Sequence, residues 1–307
     1  MKKVIVFGSL NMDITIECDT MPKAGETLEG RNFFTNPGGK GGNQAVAAAK
    51  LGAPTYMIAR VGDDLFGKQM REALAGYGVD CTYLSESDGK STGVALITRC
   101  EGDNRIILSS GANHELTARD VDVILEQVSE PRDIFVTQYE CDAAAVIGSL
   151  AAAKRRGLFT LFNPAPAKAI PPEAYQTIDL IVVNQTECEY LTGIYPTEKE
   201  SCQSALNRFF AMGVGGAIIT LGSRGSVCRI GEEIVLIESY SVPNVDTTAA
   251  GDTYIGALAS ALVRGEALEA CMRFATKAAA LTITRQGAQI SIPYQNEIET
   301  YFKEESI

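Results

Sequence analysis

The stretch VIVFGS, residues 4–9, is a run of four apolar residues, three of them β-branched, that stops at Gly8-Ser9. Apolar side chains at both alternating positions describe a strand buried on both faces, and the small residues after it describe a loop delivered at its carboxyl end. The same punctuation recurs. Tyr56 to Ala59 runs into Arg60-Val61-Gly62-Asp63, Ile134 to Thr137 into Gln138-Tyr139-Glu140, and Leu158 to Phe162 into Asn163-Pro164. Leu180 to Val183 runs into Asn184, and Ala217 to Leu221 into Gly222-Ser223-Arg224-Gly225. Between these runs, apolar spacing predicts helices over 43–51, 65–77, 118–128, 143–156 and 201–212. Strands alternating with helices predict an α/β fold with a mainly parallel central sheet and helices on both faces. Ligands of such sheets bind at the carboxyl ends of the strands, so the loop residues above form one candidate site.

Two segments break the alternation. Residues 13–36 and 91–110 lack a helical period and carry short alternating runs such as Asp13-Ile14-Thr15-Ile16-Glu17 and Gly93-Val94-Ala95-Leu96-Ile97-Thr98. Each leaves the core and returns to it. They predict a small β lid inserted in two pieces, at about 12–37 and 91–110, into a single domain spanning 1–307.

A chain of 307 residues, 46% of them apolar, can bury a sizeable core. The net charge of −11, with no basic run, argues against nucleic acid or an anionic membrane as partner. Lys2-Lys3 precede an apolar run too short for a secretory or membrane-spanning segment, which predicts a cytoplasmic protein. The eight cysteines include no CxxC pair, against a zinc site or a disulfide framework. The single histidine, His114, reads as a loop residue leading into a helix and removes most Ser-His-Asp and Cys-His schemes.

In DTTAAGDTYIGALASAL (246–262), two carboxylates bracket small residues just where an apolar helix begins. Ile255, Leu258, Ala259 and Leu262 share one helical face, so Gly251-Asp252 fall in or just before the first turn. There the backbone N–H groups lack intrahelical partners and the macrodipole is positive, which suits an anion. As an isolated feature Asp252 reads as a cap. The bare run Thr247 to Gly251, however, lets an outside anion approach the amides beside a carboxylate.

Asn36-Pro-Gly-Gly-Lys-Gly-Gly-Asn43 places four glycines around Lys40 before an Ala-rich helix. It matches neither a Walker loop nor a GxGxxG after a strand, and a generic turn remains open. Asn184-Gln185-Thr186-Glu187 opens another helix after a strand. Asn184 can cap it, and Glu187 either complements the dipole or organises a hydrated Mg²⁺.

The series GSLNMD, NPGGKGGNQAVAAAKLG, STGVAL, GAN, LFNPAPA, NQTE, ITLGSRG, DTTAAGD and TRQGAQISIP spans almost the whole chain in this order. It resembles the ribokinase-type carbohydrate kinases. NMD at 11–13, GGKGGNQAVAA and TRQGAQ point more narrowly to members acting on ribose.

The resemblance implies ATP-dependent phosphoryl transfer to the 5-hydroxyl of D-ribose, with Mg²⁺ on the nucleotide and K⁺ as activator. By position in the motif, Asp252 is the base, and Ala249, Ala250 and Gly251 form the anion hole. Asn11, Asp13, Gly39, Lys40, Gly41, Gly42, Asn43 and Glu140 match the sugar-contacting positions. Asn184, Glu187, Thr220, Leu221, Gly222, Ser223, Arg224, Gly225, Gly251 and Thr276 match the nucleotide positions. Asp246, Thr248, Thr282, Arg285, Gly287 and Ser291 match the monovalent-cation site, several through backbone carbonyls. The family also implies a homodimer through the lid.

Three positions depart from the pattern. Thr276 stands where members often place a histidine by the adenine, Tyr139 replaces a leucine before Glu140, and Gly42 replaces an alanine. Alternatives are a kinase for a related sugar such as deoxyribose, a sugar-binding sensor without catalysis, and a dinucleotide-dependent oxidoreductase. Intact Asp252, Gly251, Asn184 and Glu187 argue against the sensor, and the missing glycine fingerprint after the first strand argues against the oxidoreductase.

Overall fold

The computed structural model describes residues 2–101, 103–230 and 233–304, so position 102 of the lid segment and the chain ends of the 1–307 range lie outside it. In chain order the strands are β1 (Val4–Phe7), β2 (Asn11–Cys18), β3 (Arg31–Gly38), β4 (Thr55–Gly62), β5 (Val79–Asp80), β6 (Leu84–Ser87), β7 (Gly93–Cys100), β8 (Asp103–Ser109), β9 (Ile134–Gln138), β10 (Phe159–Asn163), β11 (Leu180–Asn184), β12 (Ala217–Thr220), β13 (Ser226–Ile230) and β14 (Glu233–Ile237). The helices are α1 (Lys40–Lys50), α2 (Leu65–Gly76), α3 (Ala118–Val128), α4 (Ala143–Arg155), α5 (Gln185–Thr192), α6 (Lys199–Met212), α7 (Ala250–Val263), α8 (Leu268–Thr282) and α9 (Gln295–Glu304).

The central sheet runs β14-β13-β12-β11-β10-β9-β1-β4-β5, with β6 also paired to β4. From β12 to β5 every pairing is parallel, and only β13 and β14 join antiparallel at one edge. Strand β1 shows why its sequence carries no polar alternation. Val4 and Val6 enter the cluster beneath α1, α7 and α8, while Ile5 and Phe7 enter the cluster beneath α3, α4 and α6. All four are fully buried. Truncating one to alanine costs on the order of 2–5 kcal/mol at such a site.

The second sheet has the order β3-β2-β7-β8 and contains strands from both segments that break the alternation. Parallel pairing of β2 with β7, from Asn11↔Gly93 to Cys18↔Cys100, joins the two pieces. Asp13, Thr15, Ala95, Ile97, Ile106 and Leu108 face a chamber at the central sheet, and the intervening residues face away.

Helix α1 begins at Lys40 and not at Asn43, so Gly41 and Gly42 lie in its first turn. Bonds from Gly42 N to the Ser9 carbonyl and from Asn43 N to the Gly39 carbonyl, both 2.9 Å, close that turn and outweigh the poor helix propensity of glycine. The β13–β14 hairpin and the short β5 and β6 are additions to the strands expected from sequence. Among the described residues no helix is long and apolar enough to cross a membrane.

Candidate active site

Helices α1 and α7 meet with their N-termini at the carboxyl ends of β1 and β9. Their approach is close because residue 256 is glycine: a Cβ there would stand 2.4 Å from Ala47 Cβ and 2.6 Å from the Gln44 carbonyl oxygen. This crossing sets two α1 amides against Asp252. Asn43 Nδ2 donates to Asp252 Oδ2 at 2.9 Å, and Gln44 Nε2 donates to Oδ1 at 3.0 Å. Asp252 is 8% exposed, so both its oxygens are oriented inside a site largely closed to water.

Ala249 caps α7 in the left-handed region, with φ 61°. That conformation costs a residue with a Cβ about 1 kcal/mol or more. The first helical bond runs from Thr253 N to the Ala249 carbonyl at 2.8 Å, which leaves the Gly251 and Asp252 amides without an intrahelical acceptor. Ala250 differs from expectation. Its N–H turns back to the Thr247 carbonyl at 3.2 Å, so this amide is already engaged within the loop. Among the described residues, nothing beyond its chain neighbours and its own helix backbone lies within 4 Å of the point where a Gly251 Cβ would stand; the space is an open chamber.

Two chambers meet at Asp252. The first, about 380 Å³, lies between the central sheet and the second sheet and is lined by Asn11, Asp13, Gly39, Lys40, Asn43 and Glu140, among others. Glu140 Oε2 accepts from Ser9 Oγ at 2.5 Å, Lys40 N at 3.1 Å and Asn11 Nδ2 at 3.2 Å. Asp13, by contrast, accepts no hydrogen bond among the described residues. Burial, then the nearby charges of Glu140 and Asp252, push its carboxyl up to about 7. Burial alone lowers the Lys40 ammonium, but Asp252, Glu140 and Glu187 outweigh it and hold the group above its ordinary value. Gly41 and Gly42 do not line this chamber, contrary to expectation. They lie buried in the first turn of α1, against the Ser9 loop.

The second chamber, about 230 Å³, is lined by Asn184, Glu187, Thr220, Asn163 and residues 249–252, and shares Lys40, Ala249 and Asp252 with the first. Asn184 and Glu187 form a reciprocal cap. Asn184 Oδ1 accepts from Glu187 N at 2.8 Å, and Glu187 Oε2 accepts from Asn184 N at 2.9 Å. Burial raises the Glu187 carboxyl despite that bond and the proximity of Lys40. A triphosphate fits here on the observation at Gly251, whose absent Cβ leaves the first turn of α7 open. Glu187 fits a hydrated Mg²⁺, since one of its oxygens makes no bond to a described residue and such an ion touches few protein groups.

Other expected nucleotide positions lie off this chamber. Leu221 to Gly225 form the turn after β12, closed by Leu221 N on the Gly225 carbonyl at 2.7 Å. Arg224 reaches instead to the carbonyls of Thr197 and Pro196. Thr276 is buried in α8 with its hydroxyl on the Met272 carbonyl at 2.8 Å.

The expected potassium site is arranged otherwise. Asp246 Oδ1 accepts from Thr248 Oγ1 at 2.6 Å and Thr248 N at 2.9 Å, while Oδ2 accepts from Arg99 Nη2 at 3.0 Å and Gly287 N at 3.2 Å. Burial alone raises this carboxyl, yet these donors and the guanidinium hold it below the usual range. Thr282 Oγ1 donates to the Ala278 carbonyl and shares a hydroxyl–hydroxyl bond with Thr253 Oγ1, Arg285 pairs with Glu297 at 2.6 Å, and Ser291 donates to the Ala288 carbonyl. With Asp246 accepting four bonds from protein donors, the set lacks the free carboxylate that would neutralise a monovalent cation, whatever its backbone carbonyls offer.

Four contributors carry no role in the sequence reading. Ser9 and Gln44 hold the two carboxylates, Asn113 ties Leu10 N and Asn11 Oδ1 at 2.9 and 2.8 Å, and Arg99 reaches Asp246. Ser9 and Gln44 stand inside the quoted motifs GSLNMD and GGKGGNQAVAA, and Asn113 inside GAN. Arg99 is marked by no local pattern.

Comparison with known proteins agrees with this geometry. The pfkB family carbohydrate kinase profile matches residues 1–295. A ribokinase from Haemophilus influenzae is 38% identical over 298 residues, covering 96% of this chain and 97% of its own. A deoxyribokinase from Salmonella typhi is 34% identical over 300 residues, covering 97% and 98%. Among solved structures, Arabidopsis thaliana ribokinase complexed with ribose and ATP superposes with a TM-score of 0.90 at 34% identity, covering 98% of both chains. The chain therefore belongs to the pfkB family of carbohydrate kinases.

Proposed function

We propose that the chain, as one unit over 1–307, transfers the γ-phosphoryl group of ATP to the 5-hydroxyl of D-ribose, with the sheet from about 12–37 and 91–110 as its lid. The observation that carries this reading is the meeting of two chambers at Asp252, one walled by hydroxyl-binding side chains and the other by open helix-terminal amides.

Ribose lies under the lid with its primary hydroxyl toward Asp252. Asp13 accepts two ring hydroxyls, and Glu140, Asn11 and Asn43 bind others. Asp252, oriented by Asn43 and Gln44, takes the hydroxyl proton as the oxygen attacks phosphorus in line. The Gly251 and Asp252 amides, the positive end of α7 and the Lys40 ammonium stabilise charge on the transferring group. Mg²⁺, held through Glu187, supplies charge neutralisation on the phosphates when bound. The products are ribose 5-phosphate and ADP.

The unpartnered Asp13 favours ribose over deoxyribose, because a deoxy sugar leaves one of its oxygens unpaired. A homodimer is supported by the outward face of the lid, where Ile107 (71%), Phe33 (65%), Leu96 (48%) and Ile16 (38%) stand exposed together. Eight free thiols support a reducing compartment such as the cytoplasm. The test is a coupled assay of ADP formation with ribose, deoxyribose, fructose and nucleosides. Highest kcat/KM with ribose supports the assignment; highest with deoxyribose makes the chain a deoxyribokinase, and no turnover with any sugar removes the kinase reading.

A further inference from the structure

We propose that Arg99 is a positioning residue whose guanidinium supplies a built-in positive charge to Asp246, tying the lid to the loop that shapes the phosphoryl-binding amides. This rests on the kinase reading above.

Arg99 stands on the chamber side of β7, paired in register with Glu17 of β2. Its side chain is 24% exposed and reaches out of the lid to the Asp246 carboxylate, which is only 9% exposed. A carboxylate so enclosed needs a counter-charge to stay ionised. Glu17, at 3.9 Å from Nη1, steadies the other side of the guanidinium, and the Phe34 ring centroid lies 5.8 Å from it.

Asp246 is the junction of three segments. It holds Arg99 of the lid, the Gly287 amide after α8, and both the amide and the hydroxyl of Thr248. Thr248 directly precedes Ala249, whose left-handed conformation aims the Gly251 and Asp252 amides. A displaced Asp246 therefore disturbs the turn on which the anion hole depends. Because the counter-charge arrives on the lid, that turn is fully organised when the lid covers the sugar. A small cation at Asp246 has to displace a guanidinium that is tethered beside it at high effective concentration. The side chain thus performs the role that the family resemblance assigns to potassium.

The experiment compares the full-length parent with Arg99→Gln and Arg99→Lys in K⁺, Na⁺ and tetramethylammonium at constant ionic strength and saturating Mg²⁺. It measures kcat, KM for ribose and for ATP, and the melting temperature without substrates. The parent is expected to show kcat equal within about twofold in the three cations and no K⁺-specific rise in Tm. Arg99→Gln is expected to lose about ten- to a hundredfold in kcat in tetramethylammonium with little change in KM for ATP. K⁺ should then restore part of both kcat and Tm, and Arg99→Lys should retain most of the cation independence. A parent whose kcat and Tm both rise specifically with K⁺ overturns the proposal, as does an Arg99→Gln variant unchanged in kcat and in cation response. A parent inactive in every cation removes the kinase reading instead, and the Tm series still decides whether Arg99 or an ion serves Asp246.

Discussion

Gln44 Nε2 lies 3.0 Å from Asp252 Oδ1, joining the candidate base to a helix 208 residues earlier in the chain. Gln44 is itself held from behind, because its Oε1 accepts from Gln138 Nε2 at 2.7 Å. The base is therefore oriented by a buried relay that starts on β9.

Gln44→Leu removes the amide and keeps the volume. We expect kcat to fall about ten- to a hundredfold with KM for ribose changed much less, since the lost interaction aims the base and does not touch the sugar. Steady-state kinetics check this, and a change confined to KM counts against the relay.

Asp13→Asn tests the sugar side. Its carboxyl, raised from 3.8 to about 7, keeps a proton in the folded state between those values while the unfolded chain has lost it. Stability therefore falls as pH rises through that window and is lowest, from this group, above about 7. Asparagine abolishes the effect, so the variant should melt on the order of 2–4 °C higher than the parent at pH 8 and show no such gain at pH 4. Ribose affinity should move the other way. The ionised carboxylate accepts sugar hydroxyls, so parent affinity weakens as pH drops below about 7, and the variant binds weakly at all pH values. Calorimetry across pH 5.5 to 8.5 with each ligand checks this, with ATP affinity as the internal control.

Gly251→Ala should fold normally, because among the described residues no atom beyond its chain neighbours and its own helix backbone lies within 4 Å of the new Cβ. The methyl group enters the phosphoryl space, so ATP-dependent turnover is expected to fall by about a hundredfold or more while ribose binding persists. Equal losses in Tm and in ribose binding would place the glycine in the fold and not in the site.

The legible parts of this protein were those written locally. Val4 to Phe7 reads as a doubly buried strand because its four side chains enter two cores, and the lid reads as strands because Asp13 and Thr15 alternate with Ile14 and Ile16. Asp252, Gly251 and Asn184 are marked by helix starts, whose free amides create the chemistry. Contacts made across the fold leave no such mark. Arg99 meets Asp246 over 147 residues, and nothing around either position announces the other. The early start of α1 was hidden because glycine propensity argues against helix, whereas bonds to the Ser9 loop decide it. The β13–β14 edge carries no clear strand signal because Ser226 to Ile230 is short and mixes buried with exposed positions.

The central claim is that Asp252 removes the proton from the sugar hydroxyl, and Asp252→Asn tests it most directly because the shape is kept and the basicity is lost. The measurement is kcat for ribose phosphorylation at saturating ribose and MgATP, alongside calorimetric binding of each ligand to the same preparation. The account predicts that both ligands still bind and that kcat falls by about a thousandfold or more. A variant that binds both ligands and turns over within about tenfold of the parent contradicts it.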